Sequence, residues 1–199
     1  MLSNKQNAIP FVKMHGLGND FILMERLPAP PDKAGAVAIT LCDRHEGIGA
    51  DGVVVLLPDD QADVRMLVFN PDGSEAEMCG NALRCAVFYA VVRGLSQRDE
   101  VIVLTHSGRK RGVVVDRSGL TAQVRIYMGR PSEPVFLERK IELPGYTVTA
   151  SFLRIGVPHA VVFVDELQGF PVPEVGRELE QHPIFGTATN VMFVQTTAP

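Results

Sequence analysis

The sequence is short of cysteine, of long apolar runs and of any surplus of one charge, and each shortage excludes something. Three cysteines in 199 residues are too few, and odd in number, for a disulfide framework, so reduced thiols are expected. The longest unbroken apolar run is the eight residues 85–92, far below the roughly 20 that span a bilayer as a helix. Nineteen Lys and Arg against 23 Asp and Glu leave a formal net charge of −4. That balance gives no electrostatic footing for nucleic acid or an anionic membrane as partner. The one basic cluster is Arg109-Lys110-Arg111, in what reads as a turn. The first ten residues are polar and lack the apolar core of a secretory signal, which makes the cytoplasm the expected compartment. No pair of histidines has zinc-ligand spacing with a cysteine or carboxylate. A G-x-S-x-G elbow, a Walker A loop and a Schiff-base lysine are also missing.

What remains is ordinary globular composition, 46% hydrophobic and 21% charged, with room for one large domain or two small ones. Short β-like runs dominate. Strands are expected at 11–14 and 21–25, flanking a glycine turn at 15–20, then at 53–57 and 64–69, the latter ending in Asn70-Pro71-Asp72-Gly73. Asp32 is the expected cap of a helix over 33–41. A second helix over 81–93 stops at Gly94. Strands follow at 101–105, 110–115, 121–128, 147–155 and 160–164, then a helix over 174–181 and a strand over 190–195. The order in the second half echoes that in the first, which suggests two copies of one unit.

The segment Gly47-Ile48-Gly49-Ala50-Asp51-Gly52 matches G-x-G-x-x-G in letters only. A dinucleotide fingerprint follows a strand and opens a helix, whereas this one follows a helix and opens a strand. It reads instead as a glycine loop that lets backbone approach backbone.

Cys79 is different. It stands just before the helix over 81–93, where free backbone N–H groups and the helix dipole stabilise negative charge. A thiol there is a usable base or nucleophile, and the alternative is a small buried apolar residue. Gly80 lets a ligand approach the backbone, and Asn81 adds an amide that donates and accepts. Cys85 lies in an apolar stretch of the same helix and reads as core, as does Cys42 at the end of the earlier helix. Six helical residues hold the Cα atoms of Cys79 and Cys85 roughly 9 Å apart, beyond disulfide reach. His159 follows Gly156-Val157-Pro158 and opens a strand, a place that serves a cleft or the scaffold alike. Asn19 and Asn190 are turn formers or ligand contacts.

The stretches Met14-His15-Gly16-Leu17-Gly18-Asn19-Asp20-Phe21, Cys42-Asp43-Arg44-His45 with the glycine loop, and residues 69–84 resemble diaminopimelate epimerase, in order along residues 11–195. The resemblance implies an α/β (α+β) fold of two pseudo-symmetric domains, each a curled mixed sheet around a central helix, here at 1–117 and 118–199. It also implies a cytoplasmic homodimer, no cofactor, and interconversion of LL- and meso-diaminopimelate for lysine and peptidoglycan synthesis. By this resemblance, Cys79 is one of two thiols that remove and return the Cα proton. Gly80 and Asn81 bind the substrate carboxylate, Asn19, Asn70 and Asn190 contact substrate, and His159 tunes the thiols. Two departures stand out. The family's second cysteine lies in a Glu-Arg-Gly … Ala-Cys-Gly-Thr-Gly segment that these residues do not reach, so a truncated form without turnover, its second domain incomplete, is expected. The family's Gly-Asn-Pro-His reads Gly156-Val157-Pro158-His159, which opens two other readings, a related amino-acid racemase with another substrate and a non-catalytic remnant.

Overall fold

A computed structural model describes residues 8–26, 29–186 and 188–197, without the side chains of 133 and 134. The start of the polar N-terminal stretch, residues 1–7, lies outside the described residues. The chain divides into two compact units, Met1–Met128 and Gly129–Pro199.

In the first unit, β1 (Val12–Gly16) and β2 (Asn19–Met24) form a hairpin, α1 (Pro31–Cys42) crosses over, and β3 (Gly52–Leu57) lies parallel to β2. Next come β4 (Val64–Phe69), the two-residue β5 (Glu75–Ala76), α2 (Gly80–Val92), β6 (Glu100–Thr105), β7 (Gly108–Ser118) and β8 (Thr121–Tyr127). The sheet runs β1-β2-β3-β4-β6-β7-β8, with β5 paired to β4. It curls round α2, which touches all seven strands of that path.

Alternation explains the layers. Along a strand successive side chains point to opposite faces, so Phe21, Leu23, Val54 and Leu56 join the core around α2. Ile22, Met24, Val53 and Val55 pack instead with Ala34, Ala38 and Cys42 of α1. Both faces of residues 21–24 of β2 and of β3 are therefore buried, and those residues read as continuous apolar runs.

In the second unit, β9 (Ser132–Leu143), β10 (Tyr146–Ile155), β11 (Val157–Phe163), α3 (Val172–Glu180) and β12 (Asn190–Val194) follow in order. The sheet runs β12-β11-β10-β9, with β11 and β12 parallel. Val148, Ala150, Phe152, Ala160 and Val162 form a core with Val175 and Leu179 of α3. On the sheet's opposite face Phe163 is 61% and Met192 41% exposed. The order β10-β11-α3-β12, with its antiparallel and then parallel pairing, repeats that of β1-β2-α1-β3. Repetition of the unit, read from order alone in the sequence, is present in the topology.

Several local expectations need correction. Asp32 does not cap α1; Pro30 holds the N-cap position, Pro31 opens the helix, and Asp32 lies in its first turn. Proline there needs no N–H partner and has its φ preset for a helix. Arg109, Lys110 and Arg111 lie in β7 rather than a turn. Arg111 pairs with Glu100 at 3.1 Å and stacks 3.7 Å from the Tyr127 ring centroid. The strand β9 was not foreseen. Its pairing with β10 shifts register twice, and Glu138 sits at φ 49°, so the period of two that reveals a strand is broken.

Candidate functional site

Cys79 is the N-cap residue of α2, extended at φ −134° and half-buried, and its side chain makes no capping hydrogen bond. Its carbonyl accepts the Leu83 N–H at 2.9 Å, which starts the helical ladder. Gly80 and Asn81 are the first two helical residues, so their N–H groups are among those no helical carbonyl reaches. A Cβ built on Gly80 would meet one atom within 4 Å, Ile126 Cδ1 at 3.8 Å. The glycine therefore does not serve packing; it leaves the backbone open beside the thiol.

The tip of the β1–β2 hairpin presses on this helix start. A Cβ on Gly16 would lie 3.0 Å from the Asn81 carbonyl oxygen, so any larger residue would have to push the hairpin tip and the helix start apart by a few tenths of an ångström. Gly16 pairs with Asn19 across a two-residue turn in which Leu17 (φ 57°) and Gly18 (φ 90°) are both left-handed. That is the turn whose twist matches a tight hairpin, and it brings Asn19 to the end of the unit where Cys79, Gly80 and Asn81 lie. Asn70 follows β4 directly, in the turn leading to β5 and α2. Its N–H donates to the Ser74 carbonyl at 2.8 Å and its Nδ2 to Ser74 Oγ at 3.0 Å.

The other two thiols are core. Cys42 and Cys85 are 4% and 3% exposed, and burial raises the Cys42 thiol and pushes Cys85 up to about 11. Among the described residues no group of three or more His, Cys, Asp or Glu is placed to hold a metal ion.

In the second unit His159 and Asn190 are brought together as register partners on β11 and β12. Asn190 Nδ2 donates to the Pro158 carbonyl at 3.1 Å. His159 Nδ1 is buried with no hydrogen-bond partner among the described residues, and burial holds its imidazole below the usual histidine value. Val157 stands two residues before His159 on the same strand face.

The comparisons with known proteins can be set against this geometry. The family model described as diaminopimelate epimerase matches residues 11–133. The diaminopimelate epimerase of Moorella thermoacetica is 43% identical, covering 93% of this chain and 71% of that protein. That of Pelotomaculum thermopropionicum is 42% identical, covering 95% and 72%. The chain belongs to the diaminopimelate epimerase family. It spans about seven-tenths of the length of those relatives, and membership of the family makes it an isomerase of the epimerase class.

Solved structures carry the fold alone. A probable proline racemase from Agrobacterium radiobacter superposes with a TM-score of 0.70 at 19% identity, over 96% of this chain and 68% of that one. A hydroxyproline epimerase from Agrobacterium vitis, solved with trans-4-hydroxy-L-proline bound, gives 0.66 at 21%, over 92% and 65%.

Next to Asn19 along the chain, at Asp20, begins a charge network that the sequence reading missed. Arg44 Nη2 meets Asp20 Oδ1 at 2.7 Å and Asp51 Oδ1 at 2.8 Å, and Lys13 Nζ meets Asp20 Oδ2 at 2.9 Å. Backbone bonds join the same residues, Asp51 N–H to the Asp20 carbonyl at 2.9 Å and Asp20 N–H to Asp51 Oδ2 at 3.0 Å. Arg44 beside Asp20 holds that carboxyl well below the usual carboxylate range. The hairpin carrying Asn19 is thus tied to the glycine loop. The signal was in the text as Asp20, Arg44 and Asp51, but 24 residues separate the first two, and no local rule joins them.

Proposed function

We propose that this chain carries the Cys79 half of a two-thiol diaminopimelate epimerase site. The observation that supports the reading best is the placement of Cys79 as an uncapped, half-buried N-cap thiol beside the open backbone of Gly80 and Asn81. A Cα proton of an amino acid is a very weak acid, so its removal requires that the charge left behind be spread and held. The Cys79 thiolate takes the proton: the Cα–H bond breaks, an S–H bond forms, and the electron pair delocalises into the substrate carboxylate. Helix N-terminal N–H groups at Gly80 and Asn81 hold that carboxylate as its charge grows. A thiol on the opposite face returns a proton to complete inversion.

Cys42 and Cys85 do not suit that second role, since both are buried in the first unit's cores. A polypeptide of these 199 residues is therefore expected to bind substrate yet show essentially no epimerisation. Asn19, Asn70 and Asn190 supply neutral amides suited to a ligand with both ammonium and carboxylate groups, and neutral His159 modulates the proton transfers. A cytoplasmic homodimer belongs to the same reading. Val157 favours a second one, a related racemase with another substrate, because an apolar side chain shares the strand face of His159.

The test is protection of Cys79 from alkylation, read by mass spectrometry of the labelled peptide with LL-diaminopimelate, proline or alanine present. Protection by diaminopimelate alone is expected. Protection by another amino acid, with none from diaminopimelate, would replace the first reading by the second. Epimerisation by the 199-residue polypeptide, shown intact by mass, would refute the two-thiol assignment made for it.

A further inference from the structure

We infer that Arg84 is a positioning residue that fixes the polarity of the Asn81 amide and so tunes that corner of the site to a hydrogen-bond acceptor. The inference rests on the reading that Asn81 meets the ligand. Arg84 Nη1 donates to Asn81 Oδ1 at 2.7 Å, in a partly buried contact between residues three apart on α2. Residues at that spacing share a helix face, one turn above the other.

A guanidinium carries donors only, and a carboxamide has one accepting end and one donating end. Arg84 takes the oxygen. That bond fixes which way the amide faces, so that Nδ2 is its donating end for a ligand while Oδ1 keeps only one lone pair, beside a cation. Without such a partner the two orientations of a terminal amide are nearly the same shape, and nothing local selects between them. The rest of the residue is also held, because a Cβ at Gly16 would stand 3.0 Å from the Asn81 carbonyl oxygen and 3.3 Å from its Cβ. The arginine holds the amide while the hairpin backbone lies close beside the same residue.

Charge points the same way. Arg84 makes no ion pair among the described residues, and its bonded partner is a neutral amide. It also borders a cleft of about 560 Å³ that Asn81 itself does not line, and that lining includes Lys13 but no Asp or Glu. The positive charge thus stands uncancelled one turn from the helix start. Donor polarity and charge both favour a carboxylate over a carboxamide or an ammonium at Asn81.

Two measurements on the ¹⁵N-labelled 199-residue chain test this, with Arg84→Met removing the donors at similar length and Arg84→Lys keeping a cationic donor. In the first, the Asn81 side-chain amide resonances are expected to move in Arg84→Met and to return toward their original positions in Arg84→Lys. In the second, affinities for diaminopimelate and for its α-carboxamide are compared by titration. The unsubstituted chain is expected to prefer the carboxylate about tenfold, and Arg84→Met to bring that ratio near one. A merely structural role would weaken both ligands alike and leave the ratio where it was, which overturns the inference. If the unsubstituted chain binds neither ligand, the substrate reading is what fails. The resonances then decide Arg84: unmoved in Arg84→Met, they overturn the assignment, and moved, they sustain it.

Discussion

His159 and Asn190 stand opposite one another on parallel strands, the histidine on β11 and the asparagine as the first residue of β12. Asn190 turns its amide nitrogen to the Pro158 carbonyl at 3.1 Å and leaves the neighbouring His159 Nδ1 buried and, among the described residues, unpaired. A ring nitrogen in that position resists protonation, because the imidazolium would lose its water without gaining an acceptor.

The pH dependence follows from that burial. With its folded value below the usual 6.5, His159 contributes stability that is complete above that pH. The contribution is lost as pH falls from there through the folded value, where the unfolded chain binds the extra proton. The His159 ring resonances should titrate with a midpoint below 6.5. In His159→Gln, thermal midpoints should fall less steeply between about pH 6.5 and 5. A His159 midpoint at or above the model-peptide value, or an unchanged slope in the variant, contradicts this.

The three thiols should separate sharply on alkylation. Cys79 is half-buried, whereas Cys42 and Cys85 lie within packed cores with thiols raised by desolvation. With Cys85 pushed up to about 11, its thiolate is a negligible fraction at neutral pH. Iodoacetamide under native conditions should label Cys79 more than about tenfold faster than either other cysteine, as counted by peptide mapping. Equal rates at all three would place Cys42 or Cys85 at the surface and contradict the packing.

The glycine loop is read here as structure, so it should answer to a methyl group. A Cβ on Gly47 would sit 2.1 Å from the Thr40 carbonyl oxygen and within 2.9 Å of those of Asp43 and Leu41. All three are backbone atoms at the C-terminal end of α1, where Ile48 and Gly49 N–H both donate to the Leu41 carbonyl at 3.0 Å. With three backbone oxygens in the way, Gly47→Ala should lower stability by about 3 kcal/mol or more, measured by urea denaturation. Gly119→Ala meets open space at φ 57° and should lose only the roughly 1–2 kcal/mol of left-handed backbone strain. A Gly47→Ala as mild as Gly119→Ala would mean that the loop is not packed on α1 as described.

By itself the sequence determined what local chemistry and periodicity can carry. The continuous apolar runs of β2 and β3, the stop at Gly94 and the cysteine placed before a helix are written into neighbouring residues, and the structure holds them where the text put them. The glycine loop was legible too, because a fingerprint that opens a strand has no helix start to offer a phosphate. Tertiary structure alone decided the rest. Strand β9 escaped because its bulges break the period of two, and Asp32 misled because Pro30 and Pro31 start the helix without a side-chain cap. Asp20 finds Arg44 across a crossover helix, Gly16 meets Asn81 across a curled sheet, and His159 meets Asn190 after α3 returns the chain. Those contacts form between segments that no short-range rule couples, and only burying the sheets against their helices brings them together.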